Sequence, residues 1–416
     1  MLQPNYIWRL TEAAEQAASA LDTRIKCMII ERIVARLDRG EDFYLTSTDV
    51  WNAQVYEDAG GLLEDIAKEV AKYTPLQADL VYKAFQDAMD KSWKYDSAIY
   101  KAAGIAEDQL AQSPHYIRLL QRHYEDTIND IYNMTGTRAA AAQKLFIEEC
   151  TNAYFYIATG AESCSSAVVN AIEKSVANVS DKGVLIEYPS GHIDTLETAT
   201  LRAVRTGVVQ TTAAITNERM NEYGWDLVRV SAHYGARPEH AAWQGGLYSL
   251  NGLTPGYATL ADATGYGTVT GLCGANCRHS YGPGMPDHNP YERINKGEND
   301  KTYEDMQRQR ELERRIRKSK GKLLEDQAAI DAATSEAVKE KIQRKYDRQA
   351  ATLERQNKAY NEFCEETGFK RRQDRLHKGG FSKEEANKAI GAARRYNNEK
   401  GLKHEPIPIQ EHESGG

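Results

Sequence analysis

Apolar residues recur at three- and four-residue intervals along most of this chain, and one segment, roughly 181–290, abandons that spacing. A period near 3.6 admits an amphipathic helix and little else. Between residues 5 and 180, Ile25, Met28, Ile29, Ile33 and Leu37 form one such stripe. The turn-forming clusters LDRGEDF, DAGG, KYTPLQ and QSPHY predict breaks between further amphipathic pieces. Several antiparallel helices follow from this pattern. The chain's 24 tyrosines fit helical packing, with rings buried and hydroxyls reaching polar partners.

The texture changes at Val184–Tyr188, a short β-like run, followed by a turn at Pro189–Gly191 and a helix from Thr195 to about Glu222. Leu227–Ser231 and Leu247–Leu250 read as short strands, and long loops rich in Gly, Thr and Tyr follow. The expected fold class is mainly α with a small α+β domain: a helical region at 1–180, the α+β segment at 181–290, charged helices at 291–400 and a disordered tail at 401–416.

In the charged region Ile316, Leu323, Ile330 and Ala337 fall seven apart, and Tyr346, Leu353 and Tyr360 repeat the spacing in a shifted phase. Such a break fits a helical hairpin folded near Asp331–Ser335. A further helix is expected over Phe381–Arg395, capped by Ser382 with Glu385 three residues on. From Tyr291 onward there are 29 Lys+Arg and 24 Asp+Glu, net +5, which leaves −12 for the rest of a chain whose total is −7. The run containing Arg314, Arg315, Arg317, Lys318 and Lys320 spreads around a helix and suits either a solvated face, an acidic partner, or DNA phosphates without sequence preference. The charged helices are expected to serve association, so that deleting 301–397 leaves 1–290 folded. No run approaches the ~18 apolar residues of a membrane helix, and the first residues lack the pattern of a signal peptide. Six scattered cysteines suit reduced thiols.

The densest cluster of chemically capable side chains is His233, Arg237, His240, Trp243 and Gln244, joined some thirty residues on by Cys273, Asn276, Cys277, Arg278 and His279. Histidines and cysteines together suggest zinc, but the spacing is not that of knuckles or fingers, and His233 and His240 lie seven apart across a Gly and a Pro. A Cys277–histidine nucleophile pair is the catalytic alternative, and no nucleophile elbow, phosphate loop or dinucleotide fingerprint accompanies it. The favoured reading is a loop domain pinned by side-chain hydrogen bonds around a buried Trp243, with no catalytic residue, no cofactor and no tightly bound metal.

The strings YPSGHIDTLETATLRAVRTGVVQT, SAHYGARPEHAAWQGGLYSL and GYGTVTGLCGANCRHSYGPGMP resemble the phage minor capsid protein 2 family of tailed phages and prophages of Gram-positive bacteria. The likeness covers most of the chain and is most specific between about 184 and 318. Asn276-Cys277-Arg278 is also distantly similar to the Mu F-like head-morphogenesis proteins, with His279 standing where those carry a second Cys. The resemblance implies a virion component, made in the host bacterial cytoplasm with the portal and scaffold. A few copies would sit near the portal vertex and act in head assembly, DNA retention or ejection. Its partners would be the portal and other head proteins, with packaged DNA as a non-specific contact and no membrane. The alternatives are an enzyme or toxin-like effector packaged in the head, which would use the His/Cys cluster, and a non-specific DNA-binding head protein.

Overall fold

The helical spacing of the sequence is realised in a computed structural model that describes residues 1–39, 47–105, 113–159, 163–188 and 190–402. The first half contains α1 (Pro4–Leu10), α2 (Glu12–Leu37), α3 (Thr48–Ala102), α4 (Pro114–Gly136), α5 (Arg138–Ala158) and α6 (Cys164–Lys182). The middle segment contains β1 (Ile186–Glu187), β2 (Ile193–Asp194), α7 (Leu196–Glu222), β3 (Leu227–Val230), α8 (Pro238–Ala241), β4 (Leu247–Ser249), α9 (Leu260–Thr264) and β5 (Tyr281–Pro283). The chain continues through α10 (Lys296–Ala332), α11 (Glu336–Thr367), α12 (Gln373–Leu376) and α13 (Lys383–Glu399). It is a mainly α protein with a small α+β portion.

The structure corrects the reading of two turns. DAGG and KYTPLQ do not interrupt the chain, because α3 runs for 55 residues through Gly60, Gly61 and Pro75. The apolar stripe explains this. Trp51, Val55, Ala59, Leu62 and Ile66 are buried before the proline, and Val81, Phe85 and Ala88 after it. Continuous burial on both sides outweighs the ~1 kcal/mol of a helical glycine and the ~3 kcal/mol of an interior proline. The predicted turn LDRGEDF falls largely outside the described residues, as does most of the expected disordered tail.

The chain divides into two compact units, each gathered from three separated segments. One comprises Met1–Ala18, Val70–Gly136 and Ile186–Gln307. Its core joins Val81, Phe85 and Tyr100 of α3, Ile128 and Ile131 of α4, and Val204, Val208 and Met220 of α7. Val228, Val230, Trp243, Leu260, Leu272 and Tyr281 extend the same core into the Gly-rich segment. The sheet has the order β4-β3-β5, all antiparallel, with Val228 opposite Tyr248 and Arg229 opposite Gly282. β1 and β2 form a separate antiparallel pair. The strands expected at 184–188, 227–231 and 247–250 are present in shortened form. β5 escaped the sequence reading because Tyr-Gly-Pro shows no alternation, and its proline is tolerated at the sheet edge. Thr195 caps α7, its side chain accepting from the Thr198 N–H.

The other unit comprises Ser19–Glu69, Thr137–Leu185 and Arg308–Gly416. The predicted α2 stripe is buried from Ile25 to Leu37. The hairpin folds between α10 and α11 at residues 333–335, with Ser335 capping α11. Leu312, Ile316 and Leu323 pack with Tyr346, Leu353, Tyr360 and the small residues Ala389, Ala392 and Ala393 of α13. Ala337 is exposed, and the neighbouring Val338 is buried in its place. The shift of heptad phase is the turn itself. Ser382 caps α13 as predicted, accepting from the Glu385 N–H.

The C-terminal helices also bind the rest of this unit. Lys341 pairs with Glu173 at 3.1 Å, Lys322 with Asp181 at 2.9 Å, and Asp38 accepts from the backbone N–H groups of Thr334 and Ser335 at 2.6 and 2.8 Å. Residues 308–399 are therefore tied to residues earlier in the chain, and their apolar stripe is buried among themselves.

Candidate functional site

Strand pairing explains how the two halves of the His/Cys motif meet. Beyond β3, the Ser231 N–H donates to the Ser280 carbonyl at 2.9 Å, and the Ser280 N–H donates to Ser231 Oγ at 3.0 Å. His233 follows the first segment by two residues, and His279 precedes Ser280 by one. Pro238 starts α8, where its fixed φ suits the first helical turn, and α8 carries His240 into the same space. The approach of Cys273–Cys277 depends on tight backbone. Cys273 and Asn276 have φ of 61° and 57°, a region that Asn tolerates better than most residues. A side chain at Gly274 would meet the Val269 carbonyl oxygen at 2.4 Å.

The result is a layered cluster. The His233 ring stacks on His279 with centroids 4.6 Å apart. Trp243 stands edge-on to His279 at 4.9 Å and tilted against His240 at 4.5 Å. Cys277 Sγ lies 3.8 Å from both His240 Nδ1 and His279 Nδ1. The three donor atoms fall within 4.8 Å of one another. His240, Cys277 and His279 are only 3%, 2% and 1% exposed. Burial pushes the Cys277 thiol pKa up and holds both imidazoles below their usual range, His279 well below it. The site therefore presents three neutral donors in a closed core.

The remaining motif residues fasten the loops. Arg237 donates to the Ala275 carbonyl at 2.9 Å, and Arg278 to the Gly235 carbonyl at 2.6 Å. Gln244 Oε1 accepts from the His233 N–H at 3.0 Å and faces His279 Nε2 at 3.3 Å. The Cys273 thiol is buried and directed at the His279 carbonyl, 4.0 Å away. Asn276 is exposed.

Three contributors were not singled out in the sequence. The Thr270 carbonyl receives His240 Nε2 at 2.9 Å. Asn299 brackets Ala236 through bonds to its N–H and carbonyl, both 3.0 Å. Asp226 accepts from the Asn251 N–H and the Thr254 hydroxyl at 2.8 and 2.7 Å and pins the loop after β4. A carbonyl carries no side-chain signal, and a single Asn or Asp resembles any other turn residue, so these roles were not legible.

The basic run lies on α10, away from this cluster in sequence. Arg314, Arg315 and Lys318 are exposed, with Arg315 paired to Glu311 and Lys318 to Asp181. Arg317 and Lys320 turn inward, donating to the Arg375 and Leu376 carbonyls at 2.6 and 2.7 Å. Burial lowers the Lys320 ammonium pKa to about 8. No described helix is long and apolar enough to cross a membrane.

Comparison with known proteins gives the class, a structural component of a phage. The family model described as phage minor capsid protein 2 matches residues 6–377, and the chain belongs to that family. It is similar to a protein named "Structural protein" from Lactococcus phage LL-H, with 24% identity over 324 residues, covering 72% of this chain and 84% of the relative. No solved structure matches. The chain is thus a structural phage protein, as its motifs implied.

Proposed function

We propose that this protein is a minor component of the phage head that acts beside the portal in head assembly, DNA retention or ejection. The observation that carries the reading is the family match from residue 6 to 377, which spans parts of both compact units. The motif residues serve as a structural clamp in it. His240, Cys277 and His279 are buried, with Trp243 packed on both histidines, whereas an enzyme or packaged effector using them would need its nucleophile open to substrate. Exposed Arg314, Arg315 and Lys318 offer packaged DNA a weak, auxiliary contact. The head proteins are the principal partners.

The direct test is co-expression of the full chain with the portal of the same phage, followed by native mass spectrometry. A complex of defined stoichiometry that survives moderate salt supports the reading. Failure to bind the portal, alone or with scaffold and major capsid protein, contradicts it.

A further inference from the structure

The three buried donors beside Trp243 have a hydrogen-bonding problem that their own protons cannot solve. Gln244 Oε1 accepts from the His233 N–H, so the atom 3.3 Å from His279 Nε2 is an oxygen and that nitrogen must carry a proton. His240 Nε2 likewise donates to the Thr270 carbonyl. In a neutral imidazole the other nitrogen is then a bare acceptor. Both Nδ1 lone pairs face one sulfur, each at 3.8 Å. A thiol has a single proton and can serve only one of them.

A cation at the centre resolves all three atoms together. Zinc bonds of ~2.3 Å to sulfur and ~2.0 Å to nitrogen, at tetrahedral angles, place S and N roughly 3.5 Å apart. The observed 3.8 Å separations are close to that. The outer shell also has the form of a metal site. Each ring's far nitrogen is held by a carbonyl oxygen, which fixes its tautomer and orientation, and the His279 backbone N–H donates to Cys277 Sγ at 3.4 Å. Two imidazoles with one thiolate suit a borderline divalent ion rather than Mg²⁺ or Ca²⁺. The irregular spacing that argued against zinc in the sequence loses its force, because β-pairing at Ser231 and Ser280 sets the convergence rather than a knuckle or a helix face.

We propose that His240 Nδ1, His279 Nδ1 and Cys277 Sγ bind one Zn²⁺ that staples α8 to the loop before β5. Binding displaces the Cys277 proton to solvent and forms a zinc–thiolate bond, with no change of oxidation state. Cys273 stays outside the ligand set, because the mutually close ligand atoms are those of His240, Cys277 and His279. Three protein ligands leave the fourth tetrahedral position to a water molecule, and the burial of all three closes that position to substrate, so the ion acts as a staple. This assignment does not depend on where in the virion the protein acts.

The test uses the full chain purified without chelator. Elemental analysis should find one zinc per chain, and exchange for Co²⁺ should give a thiolate-to-cobalt charge-transfer band. Cys277→Ser should abolish that band, whereas Cys273→Ser should keep both band and stoichiometry. Gln244→Leu, which leaves all three ligands in place, should weaken zinc about 10- to 100-fold in a chelator competition. Folded wild-type protein that holds no zinc and takes up neither Zn²⁺ nor Co²⁺ overturns the proposal. So does an unchanged cobalt band in Cys277→Ser, or its loss in Cys273→Ser. Circular dichroism of each variant separates loss of ligand from loss of fold.

Discussion

Trp243 occupies the junction between the motif loops and the helical core. Its ring packs on His240 and His279, and its carbonyl accepts the Tyr248 hydroxyl at 2.8 Å. Truncating a buried Trp costs ~3–5 kcal/mol, so Trp243→Ala should lower the stability of the first unit by that amount in chemical denaturation. An unchanged midpoint would mean that the ring is not a core residue. The ten motif residues could be picked out of the sequence by type, because His, Cys, Trp and Arg are conspicuous in a Gly-rich stretch. Their separate tasks could not. Whether His240 and Cys277 meet depends on a strand pair between residues 231 and 280 and on left-handed backbone at Cys273 and Asn276. Ligand-spacing rules are written for knuckles and helix faces, so they do not see such a convergence.

At the scale of elements, caps and stripes carried most of the information. The Ser382 cap predicted the start of α13, the reading of a helix from Thr195 to about Glu222 matches α7, and the 316/323 and 346/353/360 stripes placed α10 and α11 on either side of their turn. The exception was α3, where glycine and proline signals were overridden by burial on both sides of Pro75. The turn between α10 and α11 is held from a distance by Asp38. Although burial opposes its charged form, hydrogen bonds from Ser335 and Thr334 hold its carboxyl below the usual range. A depressed carboxylate pKa stabilises the fold above the unfolded value near 3.8, and that contribution disappears as pH falls through the folded value. Asp38→Ala should therefore destabilise the second unit by about 1 kcal/mol at neutral pH. The gap between mutant and wild type should close in acid, and a gap independent of pH would refute the cap. Within the hairpin, Leu323 is fully buried, and Leu323→Ala should cost ~2–5 kcal/mol. A near-neutral result would show that the hairpin is not a packed core.

For the whole molecule, the sequence divides naturally into consecutive regions, while the compact units each collect three distant segments. Long-range assembly of this kind leaves no local trace, since every helix looks equally ready to pack on its neighbour. Truncation behaviour follows from it. Deleting 301–397 removes Lys341 and Lys322 from Glu173 and Asp181 on α6, and the partners of Asp38 after α2. The truncated chain should lose more helix by circular dichroism than the deleted residues contain. A strictly proportional loss would restore an independent body at 1–290. DNA contact should be modest for a related reason: with Arg317 and Lys320 turned inward, three exposed cations support a log K against log salt slope of about −3 at most. A steeper slope would point to a larger nucleic-acid surface.

Quantitative mass spectrometry of purified procapsids and mature heads decides whether this is a minor head protein of the virion. The protein should be present in both, at a few copies per particle and far below the major capsid protein. Its absence from both particles would mean that it is not a head component.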